Sequence, residues 1–243
     1  MTYIITFFAV IIGYVLALFL KPKVNKNIKL FLSFSGAFLL GLVVTHLLPE
    51  MFHHHGHDHE NCAHDHNHFL PVGAFILIGI LFQIILEYFS KGAEHGHMHL
   101  HASEKKVSIP VTLFISLCLH ALFEGFPIAN NHQLAYGIGV HHLPIAMILT
   151  ILFYQANISK IQVLLFMLAF ASMTPIGIYL AEHMSWAQHY SQQLTGIAVG
   201  ILLHISSTII YESNENHKFN LAKLSIIVLG FVLAYLMSLG HSH

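Results

Sequence analysis

The sequence predicts an all-α, polytopic membrane protein with eight transmembrane helices and both termini outside. Three observations predict it. The 243 residues are 56% hydrophobic and only 9% charged, where an ordinary soluble domain carries about 25% charge; with a mean hydropathy of +0.68, the bilayer is the expected solvent. Eight apolar stretches approach the roughly 20 residues needed to cross a hydrocarbon core. All 10 basic residues fall in alternate connections between those stretches. The net charge of -1 carries no basic footprint for a nucleic acid, so none is expected as a partner. The two cysteines, Cys62 and Cys118, form neither a disulfide framework nor a CxxC site.

The stretches run, in order, over residues 3–20, 30–50, 70–90, 107–128, 134–154, 161–181, 193–211 and 221–239. The first lacks a basic n-region and an A-x-A cleavage site, so it reads as a retained span and not as a signal peptide. Lys21, Lys23, Lys26 and Lys29 follow span 1, and Lys91, Lys105 and Lys106 follow span 3. Lys160 follows span 5, and Lys218 and Lys223 follow span 7. Basic residues mark cytoplasmic connections, which puts both termini and the 51–69 loop outside and the 91–106 loop in the cytoplasm. The whole chain, 1–243, then reads as a single transmembrane domain with one histidine-rich loop on each side. Gly, Pro and Ser within the spans are compatible with membrane helices whose neighbours satisfy the backbone.

The chain holds 23 histidines, and neutral imidazole is the commonest metal ligand. Many lie in the loops. His53, His54, His55, His57, His59, His64, His66 and His68 crowd the outer loop, mixed with Asp and Glu; His95, His97, His99 and His101 crowd the inner one. Without fixed spacing they suit loose metal capture. The spans are more selective, because an ionisable residue at membrane depth costs about 2.5–3.5 kcal/mol on insertion scales. Span 4 carries HALFEG, in which His120 and Glu124 stand four apart on one helix face. Imidazole and carboxylate together suit a borderline divalent cation; a structural His–Glu hydrogen bond is the other reading. Span 5 carries HHLPIA. Successive residues point about 100° apart on a helix, so His141 is favoured as the ligand, with His142 as a supporting or transient one. Pro144 removes a backbone N–H and should bend span 5, freeing a carbonyl near the histidines. His46 and Glu50, four apart at the end of span 2, mark either a metal entry point or a helix end at the interface. Glu87 and Glu212, near the inner ends of spans 3 and 7, can simply snorkel. His204, deeper in span 7, is either a packing residue or, with Glu212, part of an exit path.

These segments resemble the ZIP family of divalent metal transporters, the zinc/iron permeases. FSGAFLLGLVVTHLLPEMF at 34–52 is similar to the family's second span, HALFEG at 120–125 to the H-N-x-x-E-G motif of the fourth, and HHLPIA at 141–146 to the H-x-x-P-E/H motif of the fifth. TPIGIYL at 174–180, GIAVGILLHISSTIIYE at 196–212 and VLGFVLAYLM at 228–237 resemble the sixth, seventh and eighth. The resemblance implies uptake of a divalent metal into the cytoplasm, with His120, Glu124 and His141 as ligands and an elevator-like rigid-body movement. Three departures bear on this. Ala121 replaces the usual Asn, Ile145 stands where an acid or His follows the span 5 proline, and Thr174 stands where some members have Glu. The partners of a second metal are thereby mostly lost, and a single transport site is expected.

Zn²⁺ is the expected cargo, from a His and carboxylate set without thiolates; Fe²⁺, Mn²⁺, Co²⁺ and Cd²⁺ stay open, since affinity order alone does not give selectivity. No organic cofactor is expected. The resemblance also admits a homodimer, and the cell (inner) membrane is the expected location. Three rival readings differ in class: an efflux carrier, an intramembrane zinc hydrolase and a metal sensor or receptor that moves nothing. An efflux carrier with histidine-rich loops would usually bring six spans and intramembrane Asp, but Asp58 and Asp65 both lie in the outer loop. An intramembrane zinc hydrolase should show H-E-x-x-H, which is absent, so the chain is not expected to be an enzyme.

Overall fold

A computed structural model describes residues 1–20, 26–53, 71–90, 111–212 and 221–239, without the side chains of Lys26, Asn27, His53, Ser90 and Glu212. The loop histidines named above lie outside the described side chains, as does the Glu212 carboxylate. Every regular element among the described residues is helical: α1 (Thr2–Leu20), α2 (Lys26–Leu42), a π-helical turn (Val43–Leu47), α3 (Leu48–His53), α4 (Val72–Ser90), α5 (Val111–Asn130), α6 (Leu134–Gln155), α7 (Lys160–His183), α8 (Ser185–His189), α9 (Ser191–Glu212) and α10 (Leu221–Leu239). Eight helices are long and apolar enough to cross a membrane, the second running from α2 through the π turn into α3. They coincide with the eight stretches expected, although α5 runs on to Asn130 rather than ending at 128.

Two local features depart from the periodicity. The π turn in span 2 lies where the Thr45 hydroxyl donates to the Gly41 carbonyl, and hydroxyls bonded to i−4 carbonyls bend membrane helices. Such turns are rare and frequent at functional sites. The second is α8, a single short helix between spans 6 and 7. It is placed by Trp186, edge-on to Phe126, and by the Gln188 side chain, which donates to the Glu182 carbonyl.

The helices fall into two sets by their most extensive contacts. One joins α1 to α6, α5 to α7 and α1 to α7; the other joins α4 to α9. The α2–α10 pair lies between them, with α2 packed equally on α6 and on α9, and α5 also packs on α9. Within the sets, backbones meet where side chains are absent. A Cβ at Gly177 in α7 would fall 2.1 Å from the Leu122 carbonyl of α5, and one at Gly125 would fall 2.5 Å from the Thr174 carbonyl. At the crossing of α4 and α9, a Cβ at Gly200 would fall 2.1 Å from the Ile76 carbonyl. Lipid gives no hydrophobic drive for helix association, so this close backbone contact is a main source of adhesion.

Burial separates the helices further. α6 is the central one, with 78% of its most apolar window buried, against 17% for the third span and 22% for the eighth. Leu77, Leu81 and Tyr88 of α4 and Val228, Leu229 and Tyr235 of α10 stand exposed, a surface suited to lipid chains and unsuited to water. Lys223, expected in a connection, lies buried near the start of α10, where its ammonium donates to the Ile210 carbonyl of α9. A cation there satisfies a backbone acceptor in the last turn of α9 and matches the helix dipole.

Candidate metal centre

The centre is built on α5 and α6. One turn of α5 brings the His120 Nε2 to 3.1 Å from the Glu124 Oε1. The Gly125–Gly177 crossing fixes the height of that turn, because it seats α5 on α7 one residue beyond Glu124. From α6, the His142 Nε2 meets the other carboxylate oxygen, Oε2, at 2.6 Å. His141 faces the same space: a nitrogen of His120, an oxygen of Glu124 and a nitrogen of His141 all lie within 4.8 Å of one another. The four side chains are 0–2% exposed. Phe170 of α7 lies against the His142 ring, with centroids 5.5 Å apart.

Apolar clusters flank the centre along α5 and α6. The face of the bundle that carries the N-terminus has Leu47, Ile128, Leu134 and Ile138 in one cluster. The opposite side has Leu117, Ala121, Ile145 and Phe170 in the other. A buried carboxylate among imidazoles is costly without a compensating cation. The Glu124 Oε1 has no hydrogen-bond partner despite its closeness to His120. Tetrahedral zinc at about 2.0–2.2 Å from N and O ligands would hold those atoms roughly 3.3 Å apart. The donor set therefore suits such an ion after modest side-chain rotation. Pro144 lies inside α6 and Pro175 inside α7, and each deprives the carbonyl four residues back, Val140 and Ala171, of its helical partner. The Thr174 hydroxyl is buried without a hydrogen-bond partner.

On the N-terminal face lies a polar basin of about 350 Å³, lined by Glu50, Asn130, Asn131, Gln192 and Thr195 among others. The Asn131 amide donates to the Glu50 Oε2 at 3.0 Å, and the Asn131 Oδ1 accepts from the Gln133 N–H as α6 begins. Pro127, three residues beyond Glu124, also lines the basin. Glu50 is among its lining residues and His46 is not. At the far end, the His204 Nε2 lies 2.7 Å from the Glu87 Oε2. Glu87 therefore turns to a partner helix, where simple snorkelling was the expectation. The sequence reading missed Asn131, the Glu87–His204 pairing and the Tyr3 hydroxyl bonded to Glu182. Only Glu87 and His204 carried a signal, as ionisable residues within spans.

The family model of the ZIP zinc transporters matches residues 94–238, which include both centre helices. The chain belongs to the ZIP family. Among curated relatives, it is 31% identical to zinc transporter ZIP1 of Danio rerio over 160 residues, 60% of this chain and 52% of that protein. It is 33% identical to zinc transporter SLC39A7 of Rattus norvegicus over 88 residues, 34% of this chain and 19% of that protein. Protein zntD of Dictyostelium discoideum is 27% identical over 163 residues, 58% of this chain and 24% of that one. The matched part thus spans about half or less of each relative. As a ZIP-family chain with eight membrane-crossing helices, this is an integral membrane protein.

Proposed function

We propose that this protein moves a divalent cation, zinc first, into the cytoplasm through the centre between α5 and α6. One observation carries the reading: His120, Glu124 and His141 converge within 4.8 Å in a fully enclosed space of a ZIP-family chain. The likeness to proteins named zinc transporters supports zinc; Fe²⁺, Mn²⁺, Co²⁺ and Cd²⁺ are the competitors to test.

In this reading the N-terminal face is outside. The 51–69 loop captures the ion, Glu50 at the basin and His46, one turn before it, admit the ion, and His120, Glu124 and His141 bind it in exchange for water. His142 shares Glu124 and serves as a transient ligand. With Ala121, Ile145 and Thr174 where further ligands would stand, one ion is carried at a time. The set containing α5 and α6 then moves against the set containing α4 and α9, which is alternating access of one unit against another. His204 and Glu212, farther along α9, lie on the way out, where the 91–106 loop receives the ion. The whole chain works as one transporter domain, in the cell (inner) membrane, as a homodimer.

Flux of ⁶⁵Zn into proteoliposomes tests this. Saturable uptake by the wild type and its loss in His120→Ala are expected. Undiminished uptake by a His120→Ala, Glu124→Ala double variant would remove the centre from the pathway.

A further inference from the structure

The Glu87–His204 pair lies in the other helix set from the α5–α6 centre, and its exposure differs in kind. Glu87 and His204 side chains are 20% and 18% exposed, where the centre's are 0–2%. The pair is also firmly carried. α4 and α9 touch backbone to backbone at Gly79 and Gly200, where a Cβ on either would fall 2.1 Å from a carbonyl oxygen of the other helix. His204 follows Gly200 by one turn and Glu87 follows Gly79 by about two. Ligands on rigid elements keep their geometry.

We propose that Glu87 and His204 form a second, weaker divalent-cation site, separate from the His120–Glu124–His141 centre. The donors are of the same kind as in that centre, one imidazole nitrogen and one carboxylate oxygen, both facing the same point at 2.7 Å. An ion entering between them takes the Nε2 lone pair, the imidazole proton resides on Nδ1, and the carboxylate becomes a direct ligand. Among the described residues two protein donors face that point, and zinc takes about four ligands, so water can complete its shell. Such a site exchanges its ion quickly and suits a relay; the choice of zinc rests on the function proposed above.

The test is residue-specific and independent of flux. Full-length protein in detergent is treated with diethyl pyrocarbonate, which acylates unliganded imidazole, with and without Zn²⁺, and modification at His204 is read by mass spectrometry. Zn²⁺ should protect His204 in the wild type, while Mg²⁺ should not. Glu87→Gln, nearly the same in shape, should need at least about tenfold more Zn²⁺ for equal protection, the scale of loss when a metal site forfeits a supporting group. His120→Ala should leave protection at His204 intact, so failure of the transport reading and failure of this one are distinguishable. Absence of protection in the wild type would make the pair a structural pin between α4 and α9 and overturn the proposal. So would no modification of His204 without metal, unchanged protection in Glu87→Gln, or loss of protection in His120→Ala.

Discussion

Glu124 is held from both sides: its Oε1 lies 3.1 Å from His120 on its own helix, and its Oε2 lies 2.6 Å from His142 on the next. One carboxylate thus ties α5 to α6 at the point where the ion would sit. His142→Ala should leave three donors in place and still release Glu124 from α6. We expect zinc flux in proteoliposomes to fall by about tenfold, as for lost support of a metal ligand, with His142→Gln recovering part of it. Flux equal to wild type in His142→Ala would mean that His142 has no part in holding Glu124 in working position.

Gly125 and Gly177 set the height of the turn that carries Glu124. Gly177→Ala would drive a methyl group to 2.1 Å from the Leu122 carbonyl, and backbone cannot yield as a flexible side chain can. Overpacking of this kind costs about 1–3 kcal/mol. Thermal unfolding of the detergent-solubilised protein, followed by fluorescence-detected size exclusion, should show a lowered midpoint for Gly177→Ala. Gly73→Ala, which meets nothing within 4 Å, should behave as wild type.

Glu50 is the acidic group of the basin, and Asn131 aims its carboxylate. Glu50→Gln keeps the size and removes the charge that, in the proposed reading, draws a cation in. The expected change is a KM for Zn²⁺ raised by roughly threefold to tenfold with kcat nearly preserved, the signature of weaker encounter. A large fall in kcat at unchanged KM would place Glu50 in the movement instead.

Deletion of residues 53–68 should raise the zinc concentration needed for half-maximal uptake and leave the maximal rate standing. Complete loss at normal expression would mean that the transport site lies in that loop. In the intact protein, acid should weaken capture by the same loop. The sign follows from competition, since a proton and a metal ion need the same lone pair. Initial uptake rates between pH 7.5 and 5.5, compared with the deletion variant, isolate that effect.

Much of this was legible in the sequence because membrane spans write themselves in composition. Apolar length gives the eight helices, and the four-residue spacing of His120 and Glu124 gives a shared face without knowledge of any neighbour. His141 and His142 show where this kind of reading ends. Their separation of about 100° favours one over the other as ligand, yet both reach the centre: His142 meets the Glu124 Oε2, and a His141 nitrogen lies within 4.8 Å of the His120 and Glu124 donors. Pairing across helices distant in sequence was not legible at all. Glu87 and His204 are separated by 117 positions, and neither carries a local mark of the other. The π turn was hidden for a different reason: VVTHL has ordinary helical composition, and the extra residue shows only in backbone hydrogen bonds.

The apolar clusters flanking the four buried side chains have a kinetic meaning. If the centre carries the ion as proposed, side chains 0–2% exposed give it no open pore, and flux would not grow in proportion to driving force. Turnover would be counted in single ions, each waiting for helices to part, and its rate should climb steeply with temperature and with the fluidity of the surrounding lipid.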